Sequence, residues 1–487
     1  MRKIISFIAL SLFLFSIYGQ EIKSEETEFE SKEEKLSPAE GASESTENEY
    51  FFEKAKANVR NVAITTGVVF LQNVFVNQMD RFVLGKEYAI VGPASFYANL
   101  TGDWWWDIDD FPTNQFGHPY QGSMYFTAGR ANGLDFWHSF LVAGIGSLLW
   151  EEFGEIDAPS KNDILTTPFC GSIFGEVFHR LYLDAMQVCS PIAWIISPID
   201  ALSRIFYDEL PTVSGQTQEI DFIFHGGAEF FNMNYDDSTP SADSKNFLGG
   251  TSVHIQYGKP YAHKTVEPYD LFTVDFNANL MSELDYEISF LVDGYLHSNP
   301  TYFELSKGTY GINLLYEASY SEDKCFSNLG VGFKYQQETP FSESDKRLTF
   351  YTTFDGILLG TRSLYPLFYK YSQNRSWVSP SRKYNFGYGL LSKFGLSFEH
   401  PKLGDFYLDT SASTLFVLEE SQITSAEWTK NFMLNAKLRY EKRLAKNFKL
   451  GVQDELLWEK DFYNHDSNPV QFTNRMSLYT KFDFSRN

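Results

Sequence analysis

From Glu219 onward the chain repeats one pattern, runs in which apolar and polar positions alternate. In the run 272–280 the apolar set is Phe272, Val274, Phe276, Ala278 and Leu280, interleaved with Thr273, Asp275, Asn277 and Asn279. Successive side chains of a strand point to opposite faces, so such a run has one wet side and one greasy side. Alternation and turn residues predict strands near 219–231, 246–258, 269–281, 284–296, 307–320, 324–337, 346–358, 384–398, 404–418, 427–443, 446–460 and 468–485. Twelve is an even number, as bacterial barrels require. The greasy faces include Tyr310, Ile312, Leu314, Tyr316 and Ala318, and Phe432, Leu434, Ala436, Leu438 and Tyr440; Asn435, Lys437, Arg439 and Glu441 lie opposite the latter. A soluble sandwich would need a very large dry core to bury so many greasy faces. The expected fold is mainly β: a transmembrane β-barrel of about twelve antiparallel strands over 219–487, polar inside, preceded by an α-helical unit.

Loop lengths orient this barrel. With the N-terminal region periplasmic, the longest connection, Gly360–Lys383, faces outward. It holds Arg362, Lys370, Arg375, Arg382 and Lys383 with Tyr365, Tyr369 and Trp377. That set suits anionic lipid or glycan headgroups; the bland alternative is a solvated loop. Outer-membrane lipids are the other expected partner. Connections near 400–404 and 443–446 are short, as periplasmic turns should be. The tight turn at Ser282–Glu283 falls on the outer side and breaks the rule, which leaves a strand boundary there open to revision.

The N-terminus agrees with export. Arg2 and Lys3 precede an apolar stretch, Ile4–Ile17, too short to span a bilayer, and Gly19 is a plausible cleavage residue. Residues 1–19 are expected to be a signal peptide. Residues 20–49 carry eleven Glu against three Lys and almost no large apolar residue, which predicts a disordered acidic spacer. Aromatic residues make up 17% of the chain, as suits a barrel with interfacial girdles. A net charge of −23 argues against nucleic acid as a partner. Nothing in the sequence calls for a cofactor. Of three cysteines, Cys170 and Cys189 could pair, leaving Cys325 over.

Residues 50–215 are expected to form the helical unit, with helices at Tyr50–Val83, Leu134–Glu152, Phe169–Ala185 and Ile192–Tyr207, the last interrupted at Pro198. No apolar segment after the signal is expected to cross a bilayer as a helix. The densest polar and aromatic cluster lies in this unit. It runs Trp104-Trp105-Trp106-Asp107-Ile108-Asp109-Asp110-Phe111, then Asn114-Gln115-Phe116-Gly117-His118-Pro119-Tyr120-Gln121-Gly122. A helix end follows, Trp150-Glu151-Glu152-Phe153-Gly154-Glu155, then Pro159-Ser160-Lys161-Asn162-Asp163, Thr167-Pro168, Gly171, Gly175 and Glu176. Over Asp103 to about Arg180 these motifs resemble the bacterial family catalogued as domain of unknown function 3943. The resemblance implies a Gram-negative envelope protein with a barrel-like C-terminal half, and no known activity.

Two interpretations of this block compete. In one, His118, Glu151, Glu155, Asp163, Glu176 and His179 converge on a catalytic, metal or ligand site, since His and carboxylates suit metal binding and acid–base work. No diagnostic spacing such as H-E-x-x-H or G-x-S-x-G is present. In the other, these groups form a buried network with Arg130, Lys161 and Arg180 as partners, because buried charges must be paired. Ser160 or Asn162 can cap the helix that follows them. Gly171 and Gly175 are spaced to let two helices approach closely. Trp104, Trp105 and Trp106 suit an interfacial anchor. The function expected is that of an outer-membrane envelope protein, structural or a narrow pore plugged or gated by its helical unit. The alternative is a barrel-borne hydrolase of lipid or glycan using His118 with Glu151 or Glu155.

Overall fold

The computed structural model describes residues 44–206 and 216–485, apart from 238, 263, 283–284, 322–323, 342–345, 373–381 and 423–426. The expected signal peptide and most of the acidic spacer lie outside the described residues. The chain divides into two compact units: one holds the helices on either side of Ile108–Gly117, and the other joins that segment to the barrel from Gln216 onward.

The helical unit contains α1 (Glu44–Met79), α2 (Pro93–Thr101), α3 (His118–Ala131), α4 (Phe136–Phe153), α5 (Asp163–Met186), α6 (Ser190–Ile196) and α7 (Pro198–Phe206). Glu44–Glu49, assigned to the spacer on composition, are the first residues of α1. Two helices, α2 and α3, were not expected. α2 lies where Gly92 and Pro93 set a start; the Gly and Pro content around α3 reads locally as loop. One expectation is corrected: Val59–Leu84 is long and apolar enough to cross a membrane by length and composition. The isolated Asn and Arg residues in that span hid the run. Among the described residues no disulfide joins Cys170 to Cys189.

Close packing in this unit rests on glycines at the predicted spacing. Gly122 of α3 meets α5 so closely that an added methyl would lie 1.9 Å from the Thr167 carbonyl oxygen. A methyl at Gly171 would lie 2.6 Å from the Gly122 Cα. The glycines of the HPYQG and TP..G...GE motifs are therefore one helix-to-helix contact, with no room for a side chain.

The second unit is a closed twelve-stranded barrel with every strand paired antiparallel to its sequence neighbour and β1 to β12. The strands are β1 (Thr217–Asn234), β2 (Ala242–Tyr257), β3 (Phe272–Met281), β4 (Tyr286–Tyr302), β5 (Lys307–Ser321), β6 (Cys325–Phe341), β7 (Lys346–Ser363), β8 (Tyr384–Glu399), β9 (Asp405–Val417), β10 (Trp428–Ala445), β11 (Phe448–Tyr463) and β12 (Val470–Ser485). The short connection between Met281 and Tyr286 is real, so the boundary stands and the loop-length rule yields there. A longer connection, residues 258–271, occurs at the end that holds the barrel termini.

The two faces separate as alternation demands. Phe224, Phe276, Leu280, Leu438, Met476 and Leu478 are among the exposed apolar residues of the outer wall. The residues between them, such as Asp221, Glu229, Asp293 and Lys334, are buried on the inner face. Arg475 of β12 reaches both Glu229 of β1 and Glu287 of β4 at 2.7 Å, a bond across the lumen. Arg362 is fully buried and donates to Asn431 at 2.9 Å, Ser413 at 2.9 Å and Asn328 at 3.0 Å. It belongs to β7, which corrects its placement in the outer loop. Pairing spends the charges on one another, which is how so many ionisable groups tolerate an enclosed lumen.

Candidate functional site

The six candidate residues of the motif block do not meet at one point. Glu151 at the end of α4 and Asp163 at the start of α5 are buried together. The Glu151 carboxylate accepts from the Ser160 backbone N–H at 2.7 Å. Asp163 accepts from the Asn162 amide at 2.9 Å, and His118 Nε2 lies 3.8 Å from its Oδ2. Ser160 Oγ accepts from the Asp163 N–H at 3.2 Å, so Ser160 performs the expected capping; Asn162 Oδ1 instead accepts from the Asp107 N–H at 3.0 Å. Trp105 and Ser160 form a parallel bridge, with Trp105 N–H donating to the Pro159 carbonyl at 2.9 Å. Asn99 of α2 closes the end of α4 by donating to the Glu151 and Glu155 carbonyls at 3.1 and 3.0 Å.

Burial pushes the Glu151 carboxyl well above the usual range, and the neighbouring Asp163 charge adds to it. Glu155 is raised well above its ordinary value by burial and then by Glu151. Asp163 is raised by burial, against the pull of His118. The protein encloses two of these carboxyls: Glu151 and Asp163 are each 1% exposed, while Glu155 is half-buried.

The remaining candidates lie in two other places. Glu176 is fully buried between Arg130 at 2.9 Å and Arg180 at 2.7 Å. Burial works against its charge, but the two guanidinium groups win and hold its carboxyl below the usual range. His179 Nδ1 sits 2.8 Å from Asp200 Oδ1, and the Ser197 hydroxyl donates to Asp200 Oδ2 at 2.8 Å. Ser197, Pro198 and Asp200 start α7 as a capping arrangement onto which His179 docks. The Ser-Pro-x-Asp spelling was a visible signal for it. Trp105 is 64% exposed, the most open of the three tryptophans. The exposed Ile192, Trp194 and Ile195 of α6 add a second aromatic and aliphatic edge.

In the barrel unit, two features matter. The first is Ile108–Gly117, the centre of the motif block. Phe111 stacks on Tyr320 at 5.7 Å and meets Tyr384 edge-on at 5.5 Å; Phe116 packs on Phe290 at 5.5 Å. Asn114 donates to the Tyr384 hydroxyl at 2.7 Å, which donates to the Asp109 carbonyl at 3.1 Å. Tyr316 shares a strand face with the exposed Tyr310 and Ile312, and Tyr384 shares one with the exposed Tyr388 and Leu390. The segment therefore lies on the outer wall. That wall carries hydroxyl groups here, including Ser327 and Thr361 bonded to each other at 2.9 Å. Polar groups on a lipid-facing wall need a cover, and Ile108–Gly117 supplies partners to two of them.

The second feature is α8 (Tyr365–Ser372), which follows β7 and crosses the mouth of the barrel. Leu364 and Leu367 pack with Trp428 of β10 and Tyr463 of β11. Tyr365 and Tyr369 pack with Phe231, Met233 and Ala242 of β1 and β2. Tyr235 donates to the Pro366 carbonyl at 2.6 Å, and Lys370 pairs with Asp237 at 2.7 Å and with Asp466. Arg382 is buried over the rings of Tyr384 and Phe386. Arg375 and Trp377 lie outside the described residues.

Closed strand pairing, an ionic lumen and an apolar coat define a membrane-type β-barrel preceded by a helical unit. Residues 103–189 match the family model described as a domain of unknown function, DUF3943, which bears out the resemblance drawn from the motifs. The curated proteins contain no match. Among solved structures the chain is similar to an outer membrane channel from Pseudomonas putida F1, at 10% identity over 57% of this chain and 100% of that one, with a TM-score of 0.29. It is similar also to a FadL homologue from Pseudomonas aeruginosa, at 9% identity over 54% and 90%, TM-score 0.24. A third is the KdgM porin, at 8% identity over 53% and 99%, TM-score 0.20.

Proposed function

We propose that this protein is a bacterial outer-membrane β-barrel that works as a narrow, normally closed pore. The observation that carries this is the inverted polarity of the barrel. Arg475 bridges Glu229 and Glu287 inside, while Phe276, Leu438 and Leu478 face out. A bilayer accommodates such an exterior. The gate is α8, seated across the mouth through Leu367, Tyr369 and Lys370. The mouth cations Lys370 and Arg382 are held by the protein itself, so binding of anionic glycans or lipid headgroups falls to Lys383 and the loop around it.

The hydrolase alternative requires Glu151 or Glu155 to reach a substrate, and the enclosure of Glu151 and Asp163 speaks for a structural network. Single-channel recording in planar bilayers tests the pore. Purified protein should show rare, small openings, and replacing Tyr365–Ser372 by a Gly-Ser linker should give frequent larger steps. A silent bilayer for both proteins would leave a sealed scaffold.

A further inference from the structure

Asp355 faces the lumen from β7, is fully buried, and neither of its carboxylate oxygens has a hydrogen-bond partner within 3.5 Å. A carboxylate withdrawn from water demands a counter-charge. The two lysines that stand opposite Thr353 on the neighbouring strands are hydrogen-bonded to other carboxylates, Lys334 to Asp293 at 2.8 Å and Lys393 to Glu317. Two more buried oxygens lack partners, Asn313 Oδ1 and Thr353 Oγ1. The Asn313 amide nitrogen donates to Asp293 at 3.1 Å, which fixes the amide and leaves its oxygen unused.

Strand register brings these groups together. Asn313 of β5 stands opposite Gly332 of β6, and Gly332 stands opposite Asp355 of β7. Thr353 is two residues from Asp355, on the same face. Gly332 has no side chain to fill the space between them; a methyl there would lie 2.7 Å from Asp355 Oδ1. The next row, Leu315, Gly330 and Ile357, closes the notch on one side with the apolar cluster that Leu391 and Leu415 complete. Neighbouring strands lie about 4.8 Å apart, so Asn313 and Asp355 are roughly 10 Å apart at the backbone. Side-chain oxygens from both can close on an ion at bond lengths of about 2.4 Å.

We propose that Asp355, Asn313 and Thr353 hold a small hard monovalent cation of the sodium class in the lumen wall. The donors are all oxygen, which excludes soft metals. One carboxylate is left uncompensated, so a single positive charge balances the notch.

The test is thermal unfolding of the full chain in zwitterionic detergent, in sodium chloride and in choline chloride at equal ionic strength. The wild type and the exposed-carboxylate control Glu304→Gln should melt about 3–6 °C higher in sodium, with a saturating dose dependence. Asp355→Asn should melt at one temperature in both salts. Thr353→Val, which keeps shape and removes one donor, should raise the half-saturating sodium concentration about tenfold, and it decides the matter if Asp355→Asn does not fold. Equal melting of the wild type in both salts means that a proton or nothing fills the notch, and the proposal fails. A sodium shift that survives Asp355→Asn, or an unchanged half-saturation in Thr353→Val, overturns it as well.

Discussion

The hydroxyl of Tyr316 donates to the backbone carbonyl of Gln115 at 2.8 Å, although 201 residues separate them in the chain. One partner is a hydroxyl on the outer face of β5; the other is the middle of the motif block. This pair explains why so polar a stretch as Asp109–Gln115 interrupts the helices. It covers wall hydroxyls that lipid would leave without partners.

The clamp has measurable weight. Tyr316→Phe removes the shared hydroxyl and should cost about 1 kcal/mol. Phe111→Ala empties the contact with Tyr320 and Tyr384 and should cost about 3–4 kcal/mol. Melting in detergent reads both, and limited proteolysis between Asp107 and His118 should accelerate in Phe111→Ala. Unchanged melting and cleavage in both variants would remove the clamp from the account.

Glu151 sets a pH dependence. Its folded carboxyl is raised above the unfolded value of 4.5, mainly by burial. The stability it contributes is then fully present below about pH 4.5 and drains away as pH rises through its higher folded value. The helical unit should therefore loosen toward alkaline pH. Glu151→Gln keeps the Ser160 bond, cannot ionise, and should flatten a melting profile taken from pH 5 to pH 9. A wild-type profile that climbs across that range would contradict the shift.

Glu176 makes the opposite case. Its charge is held by Arg130 and Arg180, so Glu176→Gln strands two partly buried guanidinium groups and should cost about 3–5 kcal/mol. The depressed carboxyl loses its contribution only as pH falls through its folded value, below the ordinary 4.5. Chemical denaturation at pH 7 measures the first effect; a loss under 1 kcal/mol would mean that water, not Glu176, satisfies the arginines.

At the mouth, Lys370→Ala breaks the pairs with Asp237 and Asp466 while leaving Leu367 seated. Partly exposed pairs are worth about 1 kcal/mol or less, so the open probability should rise about two- to fivefold. Leu367→Asp, which places a charge against Trp428 and Tyr463, should open the pore much further. If neither variant alters conductance, α8 is not the gate.

The sequence by itself determined the barrel: twelve strands, their order and their two faces. Alternation is a local property with a period of two, and burial on one side fixes it residue by residue. It also determined that Gly171 and Gly175 sit in a close helix contact and that Glu176 pairs with Arg180, both written in short helical spacings. Tertiary structure alone decided the rest. Ile108–Gly117 left the helices for the outer wall, α8 folded across the mouth, and six suspected site residues parted into three sets. The first two of those outcomes depend on partners more than a hundred residues away, or on which side of a closed sheet a chain segment comes to rest. No local period encodes either one, because both follow from closing the barrel and satisfying the polar groups it encloses or exposes.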